Sequence, residues 1–178
     1  MNRKKTTKVR ERFSRRKIAN GVARLGEAIR KDAGKREVFL IGILNGTTVF
    51  LGDLLRAIPG EVSFAFIDET RDTSDTEVAE AMEIDFMSHV DIAGRNVYLI
   101  KDVVSTGIIE TYLLEQLGQH SPAALKLVAL LDRRGQRTVD LEVDYTLFKV
   151  EKGSYVGYGM ELGGRFANLP YIGTIAKR

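Results

Sequence analysis

The chain alternates between continuous apolar runs and segments in which apolar residues recur at helical spacing. The apolar run 38–44 has the composition of a strand buried on both faces of a sheet. Further strands are predicted at 62–67, 97–100 and 124–131, of which 97–100 is the central strand and 124–131 is buried. Three helices are predicted. In the first, apolar residues recur at helical spacing over 13–29 and Gly34 is the predicted stop; the others span 49–58 and 109–117. Shorter strands are predicted at 84–89, 145–150, 154–161 and from Pro170 onward. This order predicts an α/β fold with a mostly parallel central sheet flanked by helices.

The composition is that of one globular domain. The chain has 178 residues, 44% hydrophobic and 29% charged, which is enough to bury a core. The polar, acidic residues 68–80 predict a mobile loop within that domain. No apolar run approaches the roughly 18–20 residues of a membrane span, so no membrane contact is expected. The lack of cysteine excludes disulfides and thiolate catalysis, and it favours a cytoplasmic location.

The basic residues are concentrated near the N-terminus. The net charge is only +3, yet residues 1–36 carry about half of the 27 lysines and arginines. We therefore predict a basic N-terminal arm, residues 1–17, followed by a single domain, residues 18–178. The arm has the charge to bind nucleic acid or an acidic partner. Apart from Phe13 it lacks interleaved aromatics for base stacking, which favours the alternative of a solvated tail leading into a surface helix.

The segment 97–108 carries the strongest chemical signal. An apolar run is followed by Lys101 and Asp102, then by Ser105, Thr106 and Gly107, directly before a predicted helix. A polar loop at a helix N-terminus presents backbone N–H groups and hydroxyls to a phosphate. Asp102 is placed to accept hydrogen bonds from ribose hydroxyls or to hold a hydrated magnesium ion. The alternative is a structural role, in which its carboxylate accepts hydrogen bonds from backbone N–H groups at the start of the helix.

Two further loops follow buried strands and are expected at the same edge of the sheet. Asn45 and Gly46 form a turn whose backbone N–H groups suit a second phosphate. The segment 132–134 ends a buried strand, and an arginine there would donate to a ligand carbonyl; a purely exposed charge is the alternative for Arg134. His89 and His120 are isolated in the sequence and are interpreted as structural or surface residues.

Together these loops resemble the hypoxanthine–guanine phosphoribosyltransferase family, a branch of the type I phosphoribosyltransferases. The resemblance is carried by residues 38–46 with 50–58, 97–107, 130–133, and 155–161 with 168–173. It implies a type I phosphoribosyltransferase-like fold with a small hood region. It also implies transfer of a phosphoribosyl group from phosphoribosyl pyrophosphate (PRPP) to a purine base, with Mg²⁺ on the pyrophosphate. Membership further implies a homo-oligomer.

The resemblance assigns roles to individual positions. The loop 101–109, including Ile108 and Ile109, matches the family's ribose 5′-phosphate and diol site, and Asn45 with Gly46 matches its pyrophosphate loop. On the purine side the matching residues are Arg133, which would read the exocyclic oxygen, Tyr155, which would stack on the ring, and Glu161, which with Asp102 would bind magnesium.

Several positions depart from the family pattern. Lys101 replaces the first of two acidic residues, and Ser105 replaces the aspartate that helps the purine lose its proton. Ile108 and Ile109 replace a basic residue and a hydroxyl. Further departures are Asn45 for lysine, Arg71 and Asp72 for a Ser-Tyr pair, and Ala167 for arginine.

These departures leave three hypotheses about function. The first is a slow or altered purine phosphoribosyltransferase, in which Ser105 occupies the position of the catalytic base. The second is an inactive protein that binds PRPP or a purine nucleotide as a regulator, with residues 1–17 on nucleic acid. The third is a scaffold that acts through a protein interface.

Overall fold

The computed structural model describes residues 8–67 and 91–175. Its strands are β1 Val9–Phe13, β2 Val38–Ile43, β3 Val62–Ile67, β4 Asn96–Val104, β5 Ala124–Asp132, β6 Tyr145–Lys149, β7 Ser154–Val156 and β8 Ile172–Ile175. Its helices are α1 Arg15–Ala33, α2 Thr48–Ala57 and α3 Ile108–Gln119, and a short 3-10 helix spans Arg134–Gln136. The loop predicted at 68–80 and the strand predicted at 84–89 lie outside the described residues.

The main sheet is parallel throughout and confirms the α/β prediction. Its strand order is β3-β2-β4-β5-β6. All six residues of β2 are buried, as expected of a strand covered on both faces. Alternate residues point to opposite faces: Leu40 packs in the cluster with α1 and α2, whereas Ile41 packs in the cluster that includes Leu117 of α3. The sheet therefore lies between two helical layers.

A second, antiparallel sheet forms a small hood with the order β1-β8-β7. The pair of β1 and β8 joins Val9 to Ile175, and β7 pairs on the other side of β8. Residues 9–13 of the predicted basic arm are thus a strand of the hood. The strand predicted over 154–161 is too long, since backbone pairing with β8 ends at Val156 and residues 157–160 form a turn closed by a bridge between Gly157 and Met160.

Local chemistry explains where the other element boundaries differ from prediction. The first helix begins at Arg15, not at residue 13, because the Ser14 side chain accepts a hydrogen bond from the Lys17 N–H at 3.3 Å. It ends at Gly34 as predicted, with φ of 64°. Strand β4 does not stop at Ile100, since pairing with β5 continues to Val104. Lys101 and Asp102 therefore lie within a strand. Within the described residues, no helix is long and apolar enough to cross a membrane.

Candidate functional site

The carboxyl ends of β2, β4 and β5 bring three polar segments together at one edge of the sheet. They are the turn after β2 (residues 44–48), the loop after β4 (residues 105–107) and the 3-10 segment after β5 (residues 133–137). Ligands in open α/β sheets bind at this edge. The structure thus places the three loops identified in the sequence side by side.

The loop of Ser105, Thr106 and Gly107 leads directly into α3. Gly107 has φ of 88°, a left-handed conformation that favours glycine, and no side chain caps the helix. The Thr106 carbonyl accepts a hydrogen bond from the Thr138 N–H at 3.0 Å, which ties the loop to the 3-10 segment. An uncapped helix N-terminus presents N–H donors and the positive end of the helix dipole, the arrangement that binds phosphate.

The 3-10 segment holds this loop through two residues that the sequence analysis did not identify, Gln136 and Arg137. The Ser105 hydroxyl donates to Gln136 Oε1 at 3.2 Å. Arg137 donates to the Ser105 carbonyl at 3.0 Å and to Asp132 Oδ1 at 2.7 Å. The Arg137 and Asp132 side chains are only 10% and 6% exposed. A nearly buried ion pair therefore fixes the backbone of the loop.

Asp102 lies against the turn after β2. A Cβ atom on Gly46 would lie 1.9 Å from Asp102 Oδ2, so only glycine leaves room for this carboxylate. Asp102 Oδ1 accepts a hydrogen bond from the Val103 N–H at 2.8 Å. Lys101 Nζ lies 3.8 Å from the same oxygen. The carboxylate is thus positioned between a backbone donor, an ammonium group and the Asn45-Gly46 turn.

The turn itself is stabilised by two threonines. Thr47 is fully buried, and its hydroxyl donates to the Ile43 carbonyl at 2.5 Å. Thr48 donates through its hydroxyl to the Asn45 carbonyl at 2.8 Å. These bonds hold the chain in a tight reversal between β2 and α2, as an anion-binding turn requires.

Arg133 and Tyr155 meet on the other side of the site. The Arg133 guanidinium lies 5.4 Å from the centre of the Tyr155 ring, and its Nη2 donates to the Gly153 carbonyl at 2.6 Å. Tyr155 is half-buried and donates to the Glu151 carbonyl at 3.3 Å. A cation and an aromatic face are thus paired where the end of β5 meets the hood. Arg134, in contrast, is exposed.

Glu161 follows a turn that packs against the Asn45-Gly46 turn. A Cβ atom on Gly159 would lie 2.8 Å from the Gly46 carbonyl oxygen, so the two turns are in direct contact. Tyr158 anchors the second turn by donating to Asp53 Oδ2 at 2.7 Å. Burial, together with this bond to a carboxylate, raises the pKa of Tyr158. The Glu161 side chain is exposed at the end of the turn.

The comparisons with known proteins identify the family of this chain. The profile of the phosphoribosyl transferase domain family matches residues 11–161. The chain is 30% identical to the hypoxanthine-guanine phosphoribosyltransferase of Streptococcus pneumoniae over 158 residues, which cover 89% of this chain and 88% of that protein. The chain belongs to the hypoxanthine–guanine phosphoribosyltransferase family.

Other relatives extend the match to larger proteins and to solved structures. The chain is 30% identical to the bifunctional protein TilS/HprT of Listeria monocytogenes, but it spans only 25% of that protein. The crystal structure of a hypoxanthine-guanine phosphoribosyltransferase from Bacillus anthracis matches 97% of this chain and all of its own, with 28% identity and a TM-score of 0.83. The enzyme from Leishmania tarentolae in complex with GMP matches 97% of this chain and all of its own, with 25% identity and a TM-score of 0.84.

The donor set suits a magnesium ion shared with substrate, which is the ion that family membership implies. Mg²⁺ is usually held by one or two carboxylates together with substrate phosphates. Asp102 lies against the Asn45-Gly46 turn, and Glu161 ends the turn that packs on it. Among the described residues, no group of three or more histidines and carboxylates could hold a metal. Asp102 and Glu161 are the two carboxylates next to these turns that could hold it, alongside phosphate oxygens.

The start of α3 has a different character from the phosphate sites of the family pattern. Ile108 and Ile109 are 56% and 42% exposed, although both are apolar. They add no side-chain donor to the loop, so its polar groups are the Ser105 and Thr106 hydroxyls and the backbone N–H groups at the start of α3. Compared with the family pattern, the Ser105–Gly107 loop before α3 is present, but the two side-chain donors that would follow its glycine are replaced by Ile108 and Ile109.

Proposed function

We propose that this chain is a purine phosphoribosyltransferase that transfers the phosphoribosyl group of PRPP to a hypoxanthine- or guanine-type base, at a low rate. One observation carries the proposal: the Asp102 carboxylate, the Asn45-Gly46 turn and the Ser105–Gly107 loop meet at the carboxyl edge of one parallel sheet. A diol acceptor between two anion-binding loops suits a ribose that carries phosphates at both ends.

In this proposal each loop holds one part of PRPP. The loop of Ser105, Thr106 and Gly107 holds the 5′-phosphate at the N-terminus of α3. Asp102 accepts hydrogen bonds from the ribose hydroxyls, and the backbone of Asn45 and Gly46 holds the pyrophosphate. Magnesium, held by Asp102 and Glu161, would neutralise the charge that develops on the departing pyrophosphate.

The purine would stack on Tyr155, and Arg133 would donate to its exocyclic oxygen. In the structure Arg133 Nη2 donates to the Gly153 carbonyl at 2.6 Å. To bind the base, the guanidinium must donate at least one of its N–H groups to the purine oxygen instead. An arginine is always protonated and offers several donors, which suits a purine carbonyl acceptor. The complex of the Leishmania tarentolae enzyme with GMP supports a purine nucleotide as the ligand class.

The low rate follows from Ser105. In the family pattern an aspartate at this position helps the purine lose its proton, and a hydroxyl is not a base near neutral pH. The Ser105 hydroxyl donates to the Gln136 amide oxygen, which is not a base either. Loss of a positioned general base typically lowers a rate by roughly 10²–10⁴-fold. The expected enzyme is therefore slow.

A second candidate is a protein that binds PRPP or a purine nucleotide for regulation without transferring it. The observation that favours it is Lys101, whose ammonium lies 3.8 Å from Asp102 and offsets the negative charge that a magnesium ion requires. Under this candidate the site binds ligand and makes no product. The predicted homo-oligomer, cytoplasmic location and arm of residues 1–17 are part of the proposal under either candidate.

Two measurements on the full chain separate these candidates. The first is formation of nucleotide from PRPP with hypoxanthine, guanine or xanthine, with and without Mg²⁺. The second is calorimetric titration with PRPP, IMP and GMP. Asp102→Ala is the control, since it removes the diol acceptor and must abolish any genuine turnover. Slow, magnesium-dependent product formation supports the transferase, and binding without product supports the regulator. The absence of both binding and product would contradict both.

A further inference from the structure

A groove runs along the hood and shares Gly153 and Tyr155 with the candidate site. It has a volume of about 1070 Å³ and lies between β1, the start of α1, and the connection from β6 to β7. Its walls carry five cationic side chains and one acidic one, Glu151. The cationic residues are Arg10, Arg12, Lys17, Lys149 and Lys152.

The positive charge of this groove is not neutralised by the fold. All five cationic residues are exposed, and none of them forms an ion pair with another described residue. Lys17 is held over two rings, with Nζ 5.3 Å from the centre of Phe13 and 5.8 Å from that of Phe148. Unpaired cations gathered in one concavity attract a polyanion.

The fold also brings aromatic surface to these cations. Arg10 lies opposite Thr174 in the hood, and Thr174 lies opposite Tyr155, so the three side chains share one face of the sheet. Phe13 lines the groove as well, and it is stacked on Phe148 with ring centres 4.0 Å apart. Phe13 is the one aromatic residue of the basic segment, residues 1–17, and in the hood the segment gains Tyr155 as an aromatic neighbour.

We infer that this groove binds single-stranded nucleic acid through its phosphate backbone. A cationic groove with aromatic faces is the usual arrangement of sequence-tolerant single-strand sites. Double-stranded DNA is read by helices or ribbons that project into its grooves, whereas these cations line a concavity. Sites for small molecules are mostly apolar, whereas this groove is lined by five cationic side chains, so a polyanion fits it better than a drug-like ligand.

The test is fluorescence anisotropy of the full chain with a labelled 12-nucleotide single-stranded RNA over a range of salt concentrations. For single strands, log affinity falls against log salt with a slope of about 0.7 per phosphate contact. The groove variant is Arg12→Gln/Lys149→Gln, one cation from each wall. The matched control is Arg24→Gln/Lys35→Gln, which removes the same charge from exposed positions outside the groove.

The groove variant should bind about tenfold more weakly, with the salt slope reduced by about 0.7 for each lost contact. The control should bind within about twofold of the unmodified chain, and both variants should keep its unfolding temperature. Equal weakening in the two variants would show unspecific attraction to a basic chain and overturn the inference. So would no binding by the unmodified chain, or equal binding of polyglutamate, which would indicate an acidic protein partner. Phosphoribosyl transfer should be unchanged in the groove variant, so the two proposals fail independently.

Discussion

The contact between Gly46 and Asp102 gives the sharpest prediction, because the structure fixes how close the new Cβ atom of Gly46→Ala would lie to the Asp102 carboxylate. The new Cβ would lie 1.9 Å from Asp102 Oδ2 and 2.7 Å from its Cγ. Contacts of a Cβ atom below 3.0 Å essentially never occur. The carboxylate must therefore retreat by about 1 Å, and such a displacement of a positioning group costs up to ~10²-fold in rate.

The retreat also has a stability cost. Asp102 Oδ1 accepts the Val103 N–H at 2.8 Å, so rotation of the carboxylate away from residue 46 breaks or strains that bond. Overpacking of this kind typically costs about 1–3 kcal/mol, which lowers the unfolding temperature of a chain of this size by about 2–12 °C. Gly46 does not have a positive φ, so the steric contact is the source of the effect.

The assay is a double-mutant cycle read by thermal unfolding and by calorimetric titration with PRPP. Gly46→Ala is measured in the unmodified chain and in Asp102→Ala, where the clashing oxygens are absent. The substitution should destabilise the first and change the second by less than about 0.5 kcal/mol. Gly52→Ala is the matched control, because a Cβ there meets nothing within 4 Å and a helical alanine is favourable. Equal destabilisation in both backgrounds, or full PRPP binding by Gly46→Ala, would refute the reasoning.

Three further predictions follow from single side chains. Ser105→Asp should raise nucleotide formation by about 10²-fold or more, since it supplies a base; an unchanged rate with intact PRPP binding would contradict this. Arg137→Gln should lower the free energy of unfolding, measured with denaturant, by about 3–5 kcal/mol, because it leaves Asp132 buried and unpaired. A decrease below about 1 kcal/mol would contradict the role of the Arg137–Asp132 ion pair in holding the Ser105 loop. Burial raises the pKa of Asp32, but the bonds from Lys126 and Tyr98 outweigh it and lower the pKa. The stability from Asp32 is therefore present above pH 3.8 and lost below it, so the destabilisation by Asp32→Asn should shrink in acid unfolding curves.

Strand β2 was predictable because burial on both faces leaves a continuous apolar run. Strand β3 matches its predicted bounds, residues 62–67, and β2 and β5 each differ by one residue at the C-terminal end. Strand β4 was predicted at 97–100 and spans 96–104, so the prediction was one residue short at the start and four at the end, since Lys101 and Asp102 were interpreted as a loop. Their strand conformation comes from pairing with β5, and a partner strand is not visible in the local pattern.

Contacts between distant segments set the limit of the sequence analysis. Phe13 is in phase with the apolar face of α1, yet it lies in β1, opposite Ile172 and stacked on Phe148. In the candidate site, the prediction that the three loops lie at one edge of the sheet was right, because each follows the carboxyl end of a parallel strand. The Gly46–Asp102 contact and the hydrogen bond from Arg137 to the Ser105 carbonyl join segments that meet only in the folded chain.

The pairing of β1 with β8 has a consequence for the order of assembly. The two strands are separated by roughly 160 residues of intervening chain, so their pairing is among the most non-local contacts in the molecule. The central sheet, built from neighbouring strands, can form before the last strand leaves the ribosome, whereas the hood cannot. Tyr155 and the cationic groove are therefore completed last. Ligand-binding competence should appear only once synthesis has passed β8.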